Sequence, residues 1–242
     1  MPDAAGATAR APHSQTLSRG ITVLELLNER QQALTIQQIA DALGLHRSIA
    51  YRILRTLEAH GLVDRDGRGR IRLGPGLAAL ARGVAPDLRQ LAAPELGAVA
   101  DAFEVTAFLA VLDRREVITL LSAEPRRAHA PVAQRPGTRH GVERGAPGIA
   151  VQLAMTEAER ERLAADGVPI DRARLDRARA DGYALSSDEV IPGLTSIAVP
   201  LRVPDDPQPA TLAVVTIRAV RDAERIAENL REAAGRIAAR AC

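Results

Sequence analysis

The sequence contains no lysine, so all 32 basic residues among its 242 are arginine. A P-loop needs a lysine beside the nucleotide phosphates, and this class of nucleotide-binding site is therefore excluded. Schiff-base chemistry and pyridoxal phosphate enzymes need an ε-amine, so they are excluded as well. No other motif in the chain indicates a cofactor, and we expect none.

Cysteine is scarce too, since the one cysteine is Cys242 at the end of the chain. This excludes a disulfide framework and a thiolate zinc cluster. No apolar run approaches the roughly 18 residues that span a bilayer. The N-terminal stretch MPDAAGATARAPHSQ lacks the apolar core of a signal peptide and is predicted to be a flexible tail. We therefore expect a globular, cytoplasmic protein with no membrane partner.

The first third of the chain contains the signals of a winged helix-turn-helix. Thr35 and Gln38 form a predicted capping box, with Leu34 and Ile39 placed as a hydrophobic staple. Gly44 is suited to the tight turn between two helices. The predicted elements, in chain order, are a helix over Ser18–Glu29, a helix from Ile36 to Gly44, a helix from Arg47 to Ala59, a strand from Val63, a turn at Asp66-Gly67 and a strand over Ile71–Leu73.

Positive charge is concentrated in this part of the chain, although the net charge of the whole is only +2. Between His46 and Leu73 there are seven arginines and three acidic residues. Once the apolar stripe of the third helix is assigned to the core, a polar face remains that we predict to contact DNA in the major groove. Its members are Arg47, Ser48, Tyr51, Arg52 and Arg55, and the wing adds Arg65, Arg68 and Arg70 for the phosphate backbone. The alternative is a winged helix that binds another protein.

The sequence resembles the IclR family of transcriptional regulators from Leu17 onward. The N-terminal motifs are SRGITVLELL from Ser18, IADALGL from Ile39, RSIAYRILRTL from Arg47, HGLV from His60 and IRLG from Ile71. A second stretch, GYALSSDEVIPGLTSIAVPL from Gly182, resembles the family's most recognisable C-terminal segment. Two separate matches in the same order make chance similarity a poor explanation.

Helices mixed with antiparallel-type strands predict an α+β domain in the rest of the chain. The resemblance implies that this domain is GAF-like and binds an effector. The predicted organisation is a tail over 1–14, a winged helix-turn-helix over 15–75, a linker helix over 76–86 and the effector-binding domain over 87–242. Strands are predicted over Thr106–Leu112, Val117–Ser122, Ala130–Gln134, Thr195–Val203 and Thr211–Ala219, and helices over Leu88–Phe103, Ala146–Ala165, Arg172–Asp181 and Asp222–Ala239.

The loop Arg144–Ala150 is the candidate ligand site. Glycines allow the backbone to approach a ligand, and amides at a helix N-terminus attract a carboxylate. An ordinary loop-to-helix junction explains the same residues. The resemblance implies that Gly145, Ala146, Ser186, Ser196 and Thr216 bind a small organic or aromatic acid. The family commonly has G-K-A where this chain has Gly148-Ile149-Ala150, which predicts either a more apolar ligand or weaker binding.

Other chemistry has weaker support. A metal site would use His129 and His140 with Glu124 and Glu143, but loop histidines are usually only solvated, and we predict no metal. The adjacent Asp188 and Glu189 are weak evidence for catalysis. The serines lack a G-x-S-x-G setting, so no hydrolase activity is expected. Three further residues are either apolar walls of the ligand site or plain core, namely Leu109, Val111 and Leu120.

The sequence thus predicts a regulator, not an enzyme, that binds a pseudo-palindromic operator as a homodimer or tetramer. Its residues do not decide between repressor and activator, although repression is the role we assign first. One alternative is a regulator whose sensor domain is degenerate and serves only oligomerisation. The other is an enzyme fused to a winged helix.

Overall fold

The computed structural model describes residues 14–127, 132, 134–204, 208–217 and 222–241. The chain divides into two compact units between Val84 and Ala85. Among the described residues, no helix is long and apolar enough to cross a membrane. The predicted N-terminal tail up to residue 13, the surroundings of His129 and the terminal Cys242 lie outside the described residues.

The first unit is a winged helix-turn-helix, as the sequence predicts. In the described part of this unit, three helices precede a two-stranded antiparallel wing, and a short helix follows it at the position of the predicted linker. The elements are α1 (Gln15–Arg30), α2 (Ile36–Ala42), α3 (Arg47–Ala59), β1 (Val63–Arg65), β2 (Ile71–Leu73) and α4 (Gly76–Ala81).

Local signals fix the start of α2. The Thr35 side chain accepts a hydrogen bond from the Gln38 amide, and the Gln38 side chain accepts one from the Thr35 amide, which completes the predicted capping box. Leu34 and Ile39 are both buried in the core of this unit. Leu34 also exchanges backbone hydrogen bonds with Ile71 at 2.9 and 2.7 Å, so the segment before α2 extends the wing sheet.

Two glycines after the wing permit a close approach to the end of α3. The amide of Gly76 donates to the carbonyl of Gly61 at 3.0 Å. A Cβ at Gly74 would lie 2.3 Å from the Gly61 oxygen, and one at Gly76 would lie 2.7 Å from it. Neither position accepts a side chain without moving backbone, so these glycines hold the segment after β2 against the α3 terminus.

The second unit is an α+β domain, in agreement with the prediction. Its helices are α5 (Pro86–Phe103), α6 (Gly145–Ala154), α7 (Glu157–Ala165), α8 (Arg172–Asp181) and α9 (Ala223–Arg240). Its strands are β3 (Thr106–Asp113), β4 (Glu116–Ala123), β5 (Arg139–Gly141), β6 (Ala184–Ser187), β7 (Thr195–Leu201) and β8 (Ala210–Thr216). They form one antiparallel sheet in the order β5-β4-β3-β8-β7-β6.

Helices cover both faces of this sheet, which explains why its central strands are almost continuously apolar. Leu109 and Val111 of β3 pack in one core with α5 and α9. Phe108 and Ala110 of the same strand pack in a second core with α6 and α8. Successive side chains of a strand point to opposite faces, so β3 contributes to both cores and is buried along most of its length.

The sequence prediction is wrong in places within this unit. The predicted strand Ala130–Gln134 is not confirmed at its two described residues, Val132 and Gln134, which belong to no strand. The short strands β5 and β6 were not predicted as strands, because three or four residues give little periodic pattern. The end of the predicted strand Thr211–Ala219 lies outside the described residues beyond Ile217.

Candidate functional sites

The outward face of α3 carries the residues predicted to contact DNA. Ala50, Ile53 and Leu54 are buried and fix the rotation of the helix. The five predicted contact residues are all exposed, and they are Arg47, Ser48, Tyr51, Arg52 and Arg55. An exposed helix face with three guanidinium groups can donate to phosphates and to guanine edges.

The N-terminus of α3 is capped by a histidine. The Ser48 amide donates to Nδ1 of His46 at 3.4 Å, and the Ser48 hydroxyl lies 2.8 Å from the same nitrogen. The hydroxyl of Ser48 is therefore engaged within the chain at the very position where the sequence predicts a DNA contact. Histidine is not among the usual N-cap residues, so the capping role of His46 could not be predicted from its residue type.

A carboxylate organises the tip of the wing. Oδ1 of Asp66 accepts hydrogen bonds from the amides of Arg68 and Arg70, both at 2.9 Å. The Arg70 amide is the largest influence that lowers the pKa of Asp66, and the Arg68 amide adds to it. The loop thus spans Asp66 to Arg70, longer than the predicted two-residue turn, and it leaves the side chains of Arg68 and Arg70 exposed.

The base of the wing is tied down by ion pairs. Nε of Arg65 donates to Oε1 of Glu58 on α3 at 2.8 Å, and both side chains are about 30% exposed. Arg72 and Asp64 form a cross-strand pair at 2.9 Å. Arg65 was predicted to hold the DNA backbone, and the structure places its guanidinium against Glu58 of α3.

The second unit contains a small cavity of about 50 Å³ between the start of α6, the loop after β6 and the ends of β7 and β8. A cavity needs about 10–15 Å³ of this volume to hold one water molecule. This one therefore holds only a few ligand atoms unless the surrounding residues move. Its lining combines apolar and polar side chains from distant parts of the chain. They are Phe108, Gln134, Thr138, His140, Pro147, Ser186, Glu189, Val190, Ile191, Leu194, Ser196 and Val215.

Two of the predicted effector-binding residues line this cavity. Ser186 on β6 and Ser196 on β7 are direct partners in the sheet. The Ser196 hydroxyl donates to the Val214 carbonyl at 2.7 Å. The Ser186 hydroxyl accepts a hydrogen bond from the Ala146 amide at 2.8 Å, which brings three of the five predicted positions together.

The chain itself uses the amides at the start of α6. The amide of Arg144 donates to the Gly141 carbonyl at 3.1 Å, and that of Gly145 donates to Oε2 of Glu189 at 2.9 Å. The Ala146 amide is bound to Ser186, and Pro147 has no amide hydrogen. The four positions that a helix N-terminus leaves without intrahelical partners are therefore accounted for. A ligand carboxylate would have to displace one of these groups.

Glu189 holds several groups together at this point. Its carboxylate forms a bidentate pair with Arg174 on α8, at 2.7 and 3.0 Å. Arg144 also donates to the Glu189 backbone carbonyl. In the sequence, Glu189 is only one of two adjacent acidic residues. Its real surroundings lie in α6 and α8, and no local pattern around residue 189 indicates them.

His140 is a second lining residue whose role was not predicted. Nδ1 of His140 lies 3.0 Å from the Gly141 carbonyl, so the neutral ring carries its proton there. Burial is the main cause that lowers the pKa of His140, and the nearby positive charge of Arg144 also lowers it. His140 is thus a neutral group of the cavity at pH 7. His129, the other histidine considered for a metal site that we do not predict, lies outside the described residues.

Several residues considered for the ligand site lie elsewhere. Thr216 is not part of the cavity lining, because Val215 faces it and neighbouring residues of a strand face opposite sides. Ile149 is 2% exposed and belongs to the core under α6, so the departure from G-K-A does not change the lining directly. Leu109, Val111 and Leu120 pack in or against the core under α5 and α9.

Comparison with known families gives two matches that together cover most of the chain. Residues 16–67 match the IclR helix-turn-helix domain. Residues 84–239 match the family described as bacterial transcriptional regulator IclR C-terminal. The first match spans α1 to α3 and the first strand of the winged unit, and the second spans the domain that contains the cavity.

Individual proteins and structures give the same result. The HTH-type transcriptional regulator XynR of Escherichia coli is 30% identical over 237 residues, which is 91% of this chain and 93% of that protein. The crystal structure of an IclR regulator from Alicyclobacillus acidocaldarius has a TM-score of 0.82 and 28% identity, and the match covers 96% of this chain and all of that one. An IclR homologue from Microbacterium hydrocarbonoxydans, solved with 4-hydroxybenzoate, has a TM-score of 0.77 and 29% identity and covers 93% of this chain and 98% of its own.

Proposed function

The chain belongs to the IclR family of DNA-binding transcriptional regulators, and we propose that a small organic or aromatic acid modulates its operator binding from the cavity of the C-terminal domain. The relatives it matches are named as regulators of transcription, and it is not an enzyme. A regulator of this kind has to reach the chromosome, and we place it in the cytoplasm.

The observation that carries this proposal is the cavity between α6 and strands β6 and β7. It combines apolar walls such as Phe108 with the hydroxyls of Ser186 and Ser196, a composition suited to orienting a small organic molecule. The relative from Microbacterium hydrocarbonoxydans was crystallised with an aromatic acid, which supports the same ligand class. Binding would change operator affinity by the difference in ligand affinity between the DNA-binding and non-binding conformations.

We further propose that a homodimer, or a pair of dimers, binds the operator and represses transcription. One winged unit covers one half-site, and a second copy is needed to read a pseudo-palindrome whose half-sites lie about 34–36 Å apart. Leu17 and Ile21 on α1 are 65% and 48% exposed, and Leu80 on α4 is 66% exposed. Leu17 and Ile21 lie one turn apart on α1, and neighbouring exposed apolar side chains favour association with another copy.

The test uses the full-length protein on the intergenic DNA next to its own gene. Fluorescence anisotropy would measure operator affinity with and without 4-hydroxybenzoate, benzoate and short aliphatic acids. We expect at least one acid to change the affinity by about 5–150-fold, the usual range of allosteric coupling. Light scattering on the same sample would measure the oligomeric state.

A matched pair of variants links the effect to the cavity. Ser196→Leu adds bulk to a lining position, whereas Ser187→Leu makes the same change at an exposed neighbour outside the cavity. The acid response should be lost in the first variant and kept in the second. If no acid changes operator affinity, the alternative gains: a regulator whose C-terminal domain serves only oligomerisation.

A further inference from the structure

Residues 188–194 form a closed loop that we call the flap. Its ends are joined by the Asp188 amide, which donates to the Leu194 carbonyl at 3.0 Å, and the Asp188 carboxylate accepts from the Gly193 amide at 2.6 Å. Glu189, Val190, Ile191 and Leu194 of the flap line the cavity. The flap is thus one wall of the cavity and a compact unit in its own right.

One side chain fastens the flap to the two helices beside the cavity. The Glu189 carboxylate accepts from the Gly145 amide on α6 and from both terminal nitrogens of Arg174 on α8. These contacts join three segments that are far apart in the sequence. A carboxylate with one backbone amide and one bidentate guanidinium has the set of donors that proteins use to bind a free carboxylate.

Gly145 is shaped to receive the flap. Its φ is +72°, and a Cβ at this position would lie 2.8 Å from Cγ2 of Val190. Val190 therefore occupies the space that any side chain at position 145 would fill. The flap and α6 fit together only because this residue is glycine.

The charges of the cavity define what an acid must do to enter. Glu189 contributes the one acidic side chain among the lining residues described, and no arginine is among them. His140 also lines the cavity, and its lowered pKa leaves it neutral. An acid that entered with the flap closed would bring a second carboxylate towards Glu189, whose own carboxylate already pairs with the guanidinium of Arg174.

We infer that Glu189 occupies a carboxylate-binding position inside the domain, and that an acid effector binds by replacing it at Gly145 and Arg174 and so releasing the flap. This inference rests on the proposed function and names its ligand chemistry: a monocarboxylate with an uncharged, largely apolar remainder. Glu189 then competes with the acid from within the chain. The strength of the Glu189–Arg174 ion pair sets how strongly an acid must bind to displace Glu189.

The first test removes the Glu189 carboxylate from its binding position. Glu189→Ala removes one methylene and the carboxylate, and acetate consists of the same heavy atoms. Thermal unfolding of the full chain would be measured in 100 mM sodium acetate and in sodium chloride or acetamide at matched concentration. We expect acetate to raise the Tm of the variant on the order of 2–4 °C above the chloride sample, with no such rise for the wild type.

Glu157→Ala is the matched control, because Glu157 also pairs with an arginine, Arg160 at 2.8 Å, but lies outside the cavity. Acetate should not raise its Tm. If acetate stabilises all three proteins equally, or fails to stabilise Glu189→Ala, the carboxylate position does not exist and the inference is overturned.

The second test keeps the size of the side chain and removes its charge. Glu189→Gln should bind 4-hydroxybenzoate about tenfold more tightly than the wild type by calorimetry, because the competing closed state is weakened. The neutral 4-hydroxybenzamide should bind both proteins equally. Unchanged or weaker acid binding by Glu189→Gln overturns the inference. If no acid changes operator affinity but acetate still stabilises Glu189→Ala, the proposed function fails and the internal carboxylate site remains.

Discussion

Oε1 of Glu58 on α3 lies 2.8 Å from Nε of Arg65 on the first strand of the wing. The pair joins the two elements that a winged helix-turn-helix places on DNA. It also separates the wing arginines into two groups, since Arg65 has an acidic partner while Arg68 and Arg70 extend from the exposed tip of the loop. Their contributions to DNA binding should therefore differ.

Arg68→Ala should weaken binding to all DNA sequences alike and reduce the slope of log affinity against log salt by about 1, because one phosphate contact is lost. Arg65→Ala should change that slope less, since the Glu58 carboxylate already neutralises this guanidinium. Titrations between 50 and 200 mM salt on operator and on unrelated DNA would measure both. Equal slopes for the two variants would show that Arg65 leaves Glu58 to bind phosphate.

Arg52→Ala should cost about 1–3 kcal/mol of operator affinity if Arg52 contacts a base edge, because it is exposed on the outward face of α3. The loss should be smaller on unrelated DNA. Arg162→Ala, an exposed arginine on α7 in the other unit, makes the same charge change as a control. Unchanged affinity on the operator would remove Arg52 from the contact surface.

Gly145→Ala should destabilise the C-terminal domain more than Gly167→Ala. Both glycines have positive φ, +72° and +89°, so the backbone strain of an added side chain is similar. A Cβ at Gly167 meets nothing within 4 Å, whereas one at Gly145 meets Val190 at 2.8 Å. The difference in unfolding free energy should be about 1–3 kcal/mol, measured by urea denaturation. Adding Val190→Ala to Gly145→Ala should recover part of it.

Acid should destabilise the protein partly through His140. Burial lowers the pKa of His140 in the folded state below the ordinary histidine value of 6.5. As the pH falls, the unfolded chain therefore takes up a proton at this residue before the folded chain does. Above pH 6.5 the His140 ring is neutral in both the folded and the unfolded chain, so it does not change the stability. Below it stability is lost progressively, until the pH reaches the folded pKa. His140→Gln should flatten the fall of Tm between pH 7 and pH 5, and an unchanged profile would show that His140 does not contribute.

The winged unit could be predicted almost completely from the sequence. Thr35 and Gln38 cap α2 through contacts three residues apart, and the apolar stripe of α3 is a local repeat. The predicted contact face is simply the remainder of that helix. The capping role of His46 was missed because its geometry, and not its residue type, reveals it.

The cavity could be predicted only in part. Ser186 and Ser196 were found through the family resemblance, and both line it. Leu109, Val111 and Leu120 were predicted as either apolar walls or plain core, and they are core residues, because the register of β3 turns Phe108 towards the cavity and Leu109 and Val111 to the opposite face. A shift of one residue exchanges the faces of a strand, and sequence periodicity is weak where both faces are apolar.

The sequence by itself determined that this chain has a basic winged helix followed by an α+β domain, because caps, turns and apolar repeats act over a few residues. Only the tertiary structure decided which group binds the amides at the start of α6, where the sequence predicts a ligand. Glu189 is 44 residues from Gly145, and the two meet because antiparallel pairing of β6 with β7 returns the intervening flap to the start of α6. The chain thereby supplies its own carboxylate where an external one was expected.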